Sequence, residues 1–448
     1  MFTYTSNQFQ EIIDFMLKEA KKRGASDAVA EISEGQGLSV IVRKGEVDTI
    51  EQSLDKQVGV TLFLGYHRGN ANTSDFSKES LKATVDAAYH IAQHTAEDVC
   101  AGLAEARLLE KNPLDLDLFH PWNIDAAHAV EIARSAEGAA FSVSKQIQNT
   151  DGASVSAHHA HFMMGTSHGF MGGYPCSRHY LSCAPIASQG GKHALMQRDD
   201  WYSSSRIPSE LAEPAAIGRY AAQRALSRLK ARSLTTRRCP VIFEAPLAAG
   251  LLGSLVQAVS GGALYRRSSF LLDSLGKQVL PKHLSVFENP HLKSMTGSAP
   301  FDGEGVKTSA RTVVDKGVLQ GYFLSTYSAR KLGMQTTGNA GGSHHLTLQS
   351  KKTPKRGLPG LLKEMGTGLL VTELMGQGVN YITGDYSRGA FGYWVENGEI
   401  QYPVEEITIA GNLRDMLMDI QLIGSDTLIR GTKETGSILI GSMTVGGK

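Results

Sequence analysis

The sequence predicts a loop-rich α+β protein on three observations. Apolar residues recur at helical spacing in several segments, short β-branched runs bounded by turn residues fill the stretches between them, and glycine takes 48 of 448 positions, above its usual share of about 7%. With 41% of the chain apolar, the glycine excess means turns and close backbone approaches rather than low complexity. At roughly 150 residues per domain the length corresponds to two or three domains.

The first unit spans residues 1–112. Asn7 to Arg23 sets Phe9, Ile12, Ile13, Met16, Leu17 and Ala20 on one helical face, and Gly24 closes the helix. Leu38 to Val42, the turn Lys44-Gly45-Glu46, Val47 to Gln52 and the run VGVTLFLGY then read as a β-meander. Ser77 caps a second helix with Glu79 in its first turn, so the order is α-β-β-β-α.

A middle unit covers 113–235. Pro113 to Asn123, with two prolines, is a linker, and Ile124 to Phe141 is an Ala-rich amphipathic helix. From Val143 to Ser188, strand-like runs are interrupted by Asp151-Gly152, Gly165, Gly172-Gly173 and Pro175, which would be the turns of a four-stranded antiparallel meander. Leu211 to Leu229 is a further helix. The shared order of helix, strands and helix hints at a duplicated topology.

Residues 236–448 form a strand-rich C-terminal domain. The strand Val241-Ile242-Phe243 leads into a helix through Ala249, Leu252, Leu255, Val256 and Val259, and VLQGYFLSTY, GLLVTEL, AFGYWVENGEIQYPVEEITIAG and SILIGSMTV read as strands. Glu396-Asn397-Gly398-Glu399 is the strongest hairpin signal, because Asn-Gly supplies two positive-φ positions between apolar runs. Ser350 to Arg356 is a solvated basic loop.

Charge and cysteine content narrow the function. Lys and Arg number 45 against 44 Asp and Glu, so the net charge of +1 leaves no excess to neutralise a nucleic-acid backbone. Four cysteines, Cys100, Cys176, Cys183 and Cys239, contain no C-x-x-C pair and are too few for a disulfide framework, which suits a reducing compartment. The N-terminus MFTYTSNQFQEIIDF has no basic n-region or apolar h-region, and no long apolar run follows, so a soluble cytoplasmic protein without membrane partners is expected.

The densest polar cluster is His158, His159, His161, His168, Cys176, His179, Cys183 and His193. Zinc needs three or four convergent ligands, and Cys176-x-x-His179 with His161 from a neighbouring strand has an acceptable local spacing. Strand alternation, however, separates His158 from His159 and His161, which favours exposed strand histidines over a metal site. Gly165-Thr166-Ser167-His168-Gly169 fits the G-x-S-x-G nucleophile elbow, but Gly172, Gly173 and Pro175 follow where a helix is required, so a hairpin turn is the better reading. No phosphate-binding glycine loop occurs, and no His is followed by Glu, which removes every zincin of the H-E-x-x-H type.

The segments ALYRRSSFLLDSLGKQVLP, PFDGEGVKT, STYSARKLG, TTGNAGG and KEMGTGLLVTELMGQGVNYITGDYSRGAFGYWVENGEIQYPVEEITIAGNL strongly resemble the TldD/PmbA peptidase family, long labelled "modulator of DNA gyrase". The resemblance covers essentially the whole chain and is densest after Thr236. It implies a bacterial cytoplasmic system of two related subunits, TldD-type and PmbA-type (TldE-type), that trims unfolded peptides, with roles in microcin maturation and antitoxin degradation. The TldD-type subunit carries H-E-x-x-x-H on a helix and a distant cysteine as zinc ligands. This chain departs from that set. The motif would fall over Leu252-Gly253-Ser254-Leu255-Val256-Gln257 and the cysteine near Arg430, yet no histidine lies between His193 and His283 and no cysteine follows Cys239.

The expected function is therefore a PmbA-type subunit without catalytic or metal residues of its own, zinc residing in a TldD-type partner. It would enclose a channel and hold extended peptide along a sheet edge, with Gly366, Gly368, Gly376 and Gly378 as close-approach points or simple turns. A two-fold homodimer when alone and a heterodimer with the partner are both expected assemblies. The alternatives are an independent hydrolase using the His/Cys cluster at 158–193, or carboxylates such as Glu373 and Asp385, and a peptide-binding module without chemistry.

Overall fold

A computed structural model describes residues 2–189 and 195–447. Contacts divide the chain into two units. One runs to Ser227 and adds Lys293–Thr296 and Pro300–Thr308, and the other comprises Arg228–Leu292, Gly297–Ala299 and the chain from Ser309. No helix among the described residues is long and apolar enough to cross a membrane.

In the first unit, helix α1 (Ser6–Lys22) starts in a capping box between Thr5 and Gln8 and buries Phe9, Ile13, Met16 and Ala20, the face its spacing predicts. Each large apolar side chain so buried contributes about 1.5–3 kcal/mol. Strands β1 (Asp27–Arg43), β2 (Glu46–Leu64) and β3 (His67–Thr73) follow as an antiparallel meander, and Lys44 and Gly45 turn the first hairpin at φ 54° and 79°. Helix α2 (Lys78–His94) is capped by Ser77. Helix α3 (Ala126–Val143), capped by Asp125, opens the second half, with β4 (Ile147–Thr166), β5 (Met171–Ser188), β6 (Met196–Arg198), β7 (Trp201–Ser205) and α4 (Pro214–Ser227).

Segments 1–112 and 113–235 contribute to one sheet, ordered β3-β2-β1-β4-β5-β6 with β7 also on β5. It reads alike outward from the central antiparallel pair β1·β4, so each half repeats the order helix, strands, helix. Ala28, Ala30 and Ile32, then Leu38, Val40 and Val42, alternate on the same face of β1. All helices of the unit therefore cover one side of the sheet.

The four-stranded meander expected from Val143 to Ser188 is a single hairpin of two long strands. Gly152, at φ 115°, sits at a register shift within β4, and a Cβ on Gly173 would lie 2.1 Å from Phe162 O, so these glycines serve a bulge and a close strand approach. Pro175 is tolerated because β7 pairs with β5 only from His179 onward. The G-x-S-x-G segment is the hairpin turn, as its neighbours predict.

The second unit contains β8 (Arg237–Phe243), α5 (Ala245–Ala258), α6 (Gly261–Tyr265), β9 (Leu284–Glu288), β10 (Arg311–Asp315), β11 (Val318–Leu319), α7 (Thr326–Lys331), β12 (Leu346–Ser350), α8 (Gly357–Met365), β13 (Gly368–Met375), β14 (Asp385–Glu396), β15 (Glu399–Asn412), α9 (Leu413–Met418), β16 (Ile420–Ile423), β17 (Leu428–Arg430), β18 (Lys433–Thr435) and β19 (Ile438–Gly446). One sheet runs β11-β10-β9-β12-β18-β17. In the other, β15-β14-β13-β8-β19-β16, a further pairing of β15 with β19 closes five strands into a ring. Val241 and Phe243 of β8 point into the main core, and Ile242 points to Leu361, Leu362 and Met365 of α8.

The hairpin at Asn397-Gly398 forms as expected, with φ 53° and 76°. The run from Val318 to Tyr327 does not form the expected strand. Only Val318 and Leu319 pair in a ladder, Phe323 makes one bridge to Ser260, and Ser325 caps α7 in a capping box with Ser328.

Candidate functional site

Two places bear on the chemistry: the histidine-rich hairpin of the first unit, the alternative site, and the helix after β8 in the second, where the family resemblance puts the zinc motif that this chain lacks.

In the hairpin, the histidines are mostly buried rather than exposed on their strands, which corrects the sequence reading. His159 Nε2 accepts from Trp122 N at 2.9 Å, and its ring stands edge-on to His179 at 5.7 Å. His179 Nε2 donates to His120 O at 2.9 Å. His161 stacks between Phe2 at 4.1 Å and Phe9 at 4.2 Å, with its Nε2 3.3 Å from Glu34 Oε2. Burial, with the neighbouring His179 imidazole, pushes His159 down to about 4, and burial lowers His161 and His179 as well. These rings are neutral core groups.

The rest of the cluster is dispersed. His158 is exposed on the opposite face, lying over Gly37, where a Cβ would meet its Nδ1 at 2.4 Å. Cys176 stands opposite Ala160 and so on the face of His158, whereas His179 stands opposite Ala157 on the helix-covered face. An i, i+3 pair on a strand points to opposite sides, so Cys176-x-x-His179 does not converge. His168 Nδ1 lies 2.7 Å from Ala104 O and its Nε2 2.8 Å from Asp27 Oδ1. Cys183 is buried, and burial ahead of the Glu137 charge pushes its thiol up to about 12, which makes it inert. His193 lies outside the described residues. Among the described residues, no three His, Cys, Asp or Glu side chains assemble as a metal set.

In the second unit, β8 delivers the chain into α5, whose buried residues are Ala245, Ala248, Ala249, Leu251, Leu252, Ser254, Leu255 and Ala258. The window Leu252 to Gln257 offers one buried polar group. Ser254 Oγ donates to Gly250 O at 3.2 Å and lies 3.5 Å from Tyr381 Oη. Arg430 ends β17, and Lys433 of β18 reaches the helix so that its Cε would be 3.6 Å from a Cβ on Gly253. Burial lowers the Lys433 pKa. Zinc takes imidazole, thiolate or carboxylate. A hydroxyl that donates to its own helix, with a lysine side chain against that helix, does not fit that ion. Lys433 is the residue here that sequence reasoning missed, because a single lysine in a short strand carries no pattern.

The carboxylates named as alternatives lie apart. Glu373 pairs with Arg228 Nη2 at 2.5 Å and stands opposite Phe391, six residues along β14 from Asp385, or about 20 Å at strand rise. Asp385 accepts from Thr383 Oγ1 at 2.7 Å. The four glycines also have structural duties. Gly366 and Gly376 hold φ near 70° and 75°, whereas a Cβ on Gly368 would lie 2.4 Å from Pro240 O and one on Gly378 1.8 Å from Ser387 O.

Comparison with known proteins gives this arrangement its context. The chain matches PmbA/TldA metallopeptidase domain 1 over residues 28–92, the central domain over 119–229 and the C-terminal domain over 236–447. It is 46% identical over 432 residues to the metalloprotease PmbA of Escherichia coli O157:H7, covering 96% of this chain and 94% of that one. It is 45% identical over 440 residues to a PmbA homolog of Haemophilus influenzae, covering 98% and 96%. Its fold superposes on TldE from Thermococcus kodakarensis with a TM-score of 0.84 at 18% identity, over 97% and 100% of the two chains. A Bacteroides thetaiotaomicron protein described as a modulator of DNA gyrase gives 0.92 at 24% identity, over 98% and 99%. The chain belongs to the PmbA/TldD metallopeptidase family.

Proposed function

We propose that this chain is the metal-free, PmbA-type subunit of a cytoplasmic two-subunit peptidase whose zinc and catalytic groups reside in a TldD-type partner. The observation that supports this reading is the chemistry of α5 and its neighbours β17 and β18: Leu252 to Gln257 and Arg430, where the resemblance puts the zinc motif and the cysteine, carry no imidazole or thiolate, and Lys433 lies against the helix. Relatedness of partner and helper also supports it, since this chain is 22% identical over 245 residues to a TldD homolog of Buchnera aphidicola.

In this reading the chain's own residues bind and orient extended peptide, and the partner cleaves it. Main-chain hydrogen bonding to a sheet edge accepts any sequence that is unfolded, which suits trimming of peptides such as a microcin precursor or a released antitoxin. Related subunits sharing one interface can form a two-fold homodimer in the partner's absence.

The test is peptidase activity on an unstructured peptide with this chain alone, a TldD-type chain alone, and both together. Turnover only in the mixture, or raised manyfold there, is the expected result. Turnover by this chain alone refutes the reading.

A further inference from the structure

Strand β2 is half covered. Strand β3 pairs with it only from Val58 to Leu64, whereas β1 pairs with it along its length, so among the described residues Thr49–Gln57 has no strand on its outer side. This open edge is about 30 Å long. It contains no proline, and the one register shift, at Asp48, precedes it, so its charged side chains are what guard it.

The edge has two distinct faces. Ile50 and Leu54 stand opposite Val40 and Gln36 on the helix-bearing side, 49% and 69% exposed. Glu51 and Asp55 stand opposite Ser39 and Gly35 on the other. Glu46 and Asp48 flank them, and none of these four carboxylates makes an ion pair among the described residues. The one lysine of the edge, Lys56, is turned onto Tyr4 and Phe76, its Nζ 5.4 and 4.9 Å from the ring centroids and 3.3 Å from Tyr4 Oη.

We propose that this edge is a docking site for an extended client polypeptide bearing alternating basic and apolar side chains. An antiparallel strand laid on Thr49–Gln57 would set one residue opposite Asp55 and, four further on, one opposite Glu51. The residues directly after each of these would face Leu54 and Ile50. The pattern it selects is basic-apolar-x-x-basic-apolar, because opposite charges and apolar pairs are favoured when directly opposed. A second copy of the same edge paired about Ser53 is disfavoured, since that register opposes Glu51 to Asp55. That the client is a substrate rests on the peptidase-subunit reading, but the docking itself requires only this chain.

The test uses the full chain alone and a fluorescein-labelled peptide containing Lys-Val-Thr-Thr-Lys-Val, followed by fluorescence anisotropy at low ionic strength, with amide exchange as a second readout. Saturable binding is expected, with protection appearing in residues 49–57. The double variant Glu51→Lys, Asp55→Lys should weaken it about tenfold or more, as should replacing both peptide lysines by glutamate. Methylating alternate peptide amides should abolish it, which a merely electrostatic contact would not show. These side chains are exposed, and circular dichroism checks that the variant is folded. Absence of binding, binding indifferent to charge reversal or methylation, or dimerisation of the chain through this edge would overturn the proposal. If docking fails while the two-subunit peptidase assay succeeds, only the docking site falls. If docking succeeds while that assay fails, only the subunit assignment falls.

Discussion

Glu34 and His161 face each other across β1 and β4, imidazole Nε2 3.3 Å from carboxylate Oε2, with both side chains buried. Glu34 also accepts from Thr3 N at 2.7 Å and Tyr4 N at 3.1 Å, which ties the N-terminal segment to the sheet. Burial raises the Glu34 pKa, but the bonds from Thr3, Tyr4 and His161 outweigh it and hold the carboxyl below its ordinary value.

This pair, with His159 and His179, makes the first unit acid-sensitive. All three imidazoles have folded pKa values below 6.5, so the unfolded chain protonates first, and their contribution is complete above pH 6.5 and lost as pH falls toward the folded values. Glu34 has the same sign at lower pH, its contribution being lost as pH falls through its lowered folded pKa. Each histidine adds a slope of up to about 1.4 kcal/mol per pH unit in its window. Urea unfolding should therefore show stability falling between pH 6.5 and about 4, the lower value being that of His159, and His159→Gln should flatten that slope. A pH-independent midpoint across the window would contradict this.

A second prediction concerns the buried carboxylate of Glu288. It accepts from Arg311 Nε at 2.7 Å, Asn339 Nδ2 at 2.8 Å and His344 N at 2.8 Å, and so anchors the glycine-rich loop 336–343. Glu288→Ala leaves Arg311 without this partner and should cost about 3–5 kcal/mol. Faster amide exchange at 336–344 should accompany it, and an unchanged urea midpoint would count against the network.

Helix approach gives a third. A Cβ on Gly69 would lie 1.9 Å from Ala88 O of α2, and one on Gly218 1.8 Å from Ala136 O of α3. Gly69→Ala and Gly218→Ala should each destabilise by roughly 1–3 kcal/mol. Gly138 of α3 has nothing within 4 Å of its would-be Cβ, so Gly138→Ala should stabilise by about 0.5–1 kcal/mol. Thermal melts of the three variants would separate the cases.

Local rules made much of this fold legible. Ser77, Lys44-Gly45 and Asn397-Gly398 act where their own backbone chemistry places them, and the spacing of Phe9, Ile13 and Met16 names the buried face of α1. Glycines used between elements misled the reading. Gly173 and Gly152 look like turns in sequence, but their purpose is set by Phe162 and Val42 on neighbouring strands. The same holds for the histidines. Nothing local to His159 or His161 reveals that Trp122 N and Glu34 await them from distant segments. Lys433 is likewise visible only once β18 lies against α5.

In the proposed reading this chain contributes no zinc site to its assembly. Elemental analysis of the chain purified alone, and of its complex with a TldD-type partner, tests it most directly. The expected result is no stoichiometric zinc in the chain alone and one zinc per heterodimer in the complex. One zinc per chain in the isolated protein, retained after a weak chelator and dialysis, would contradict it.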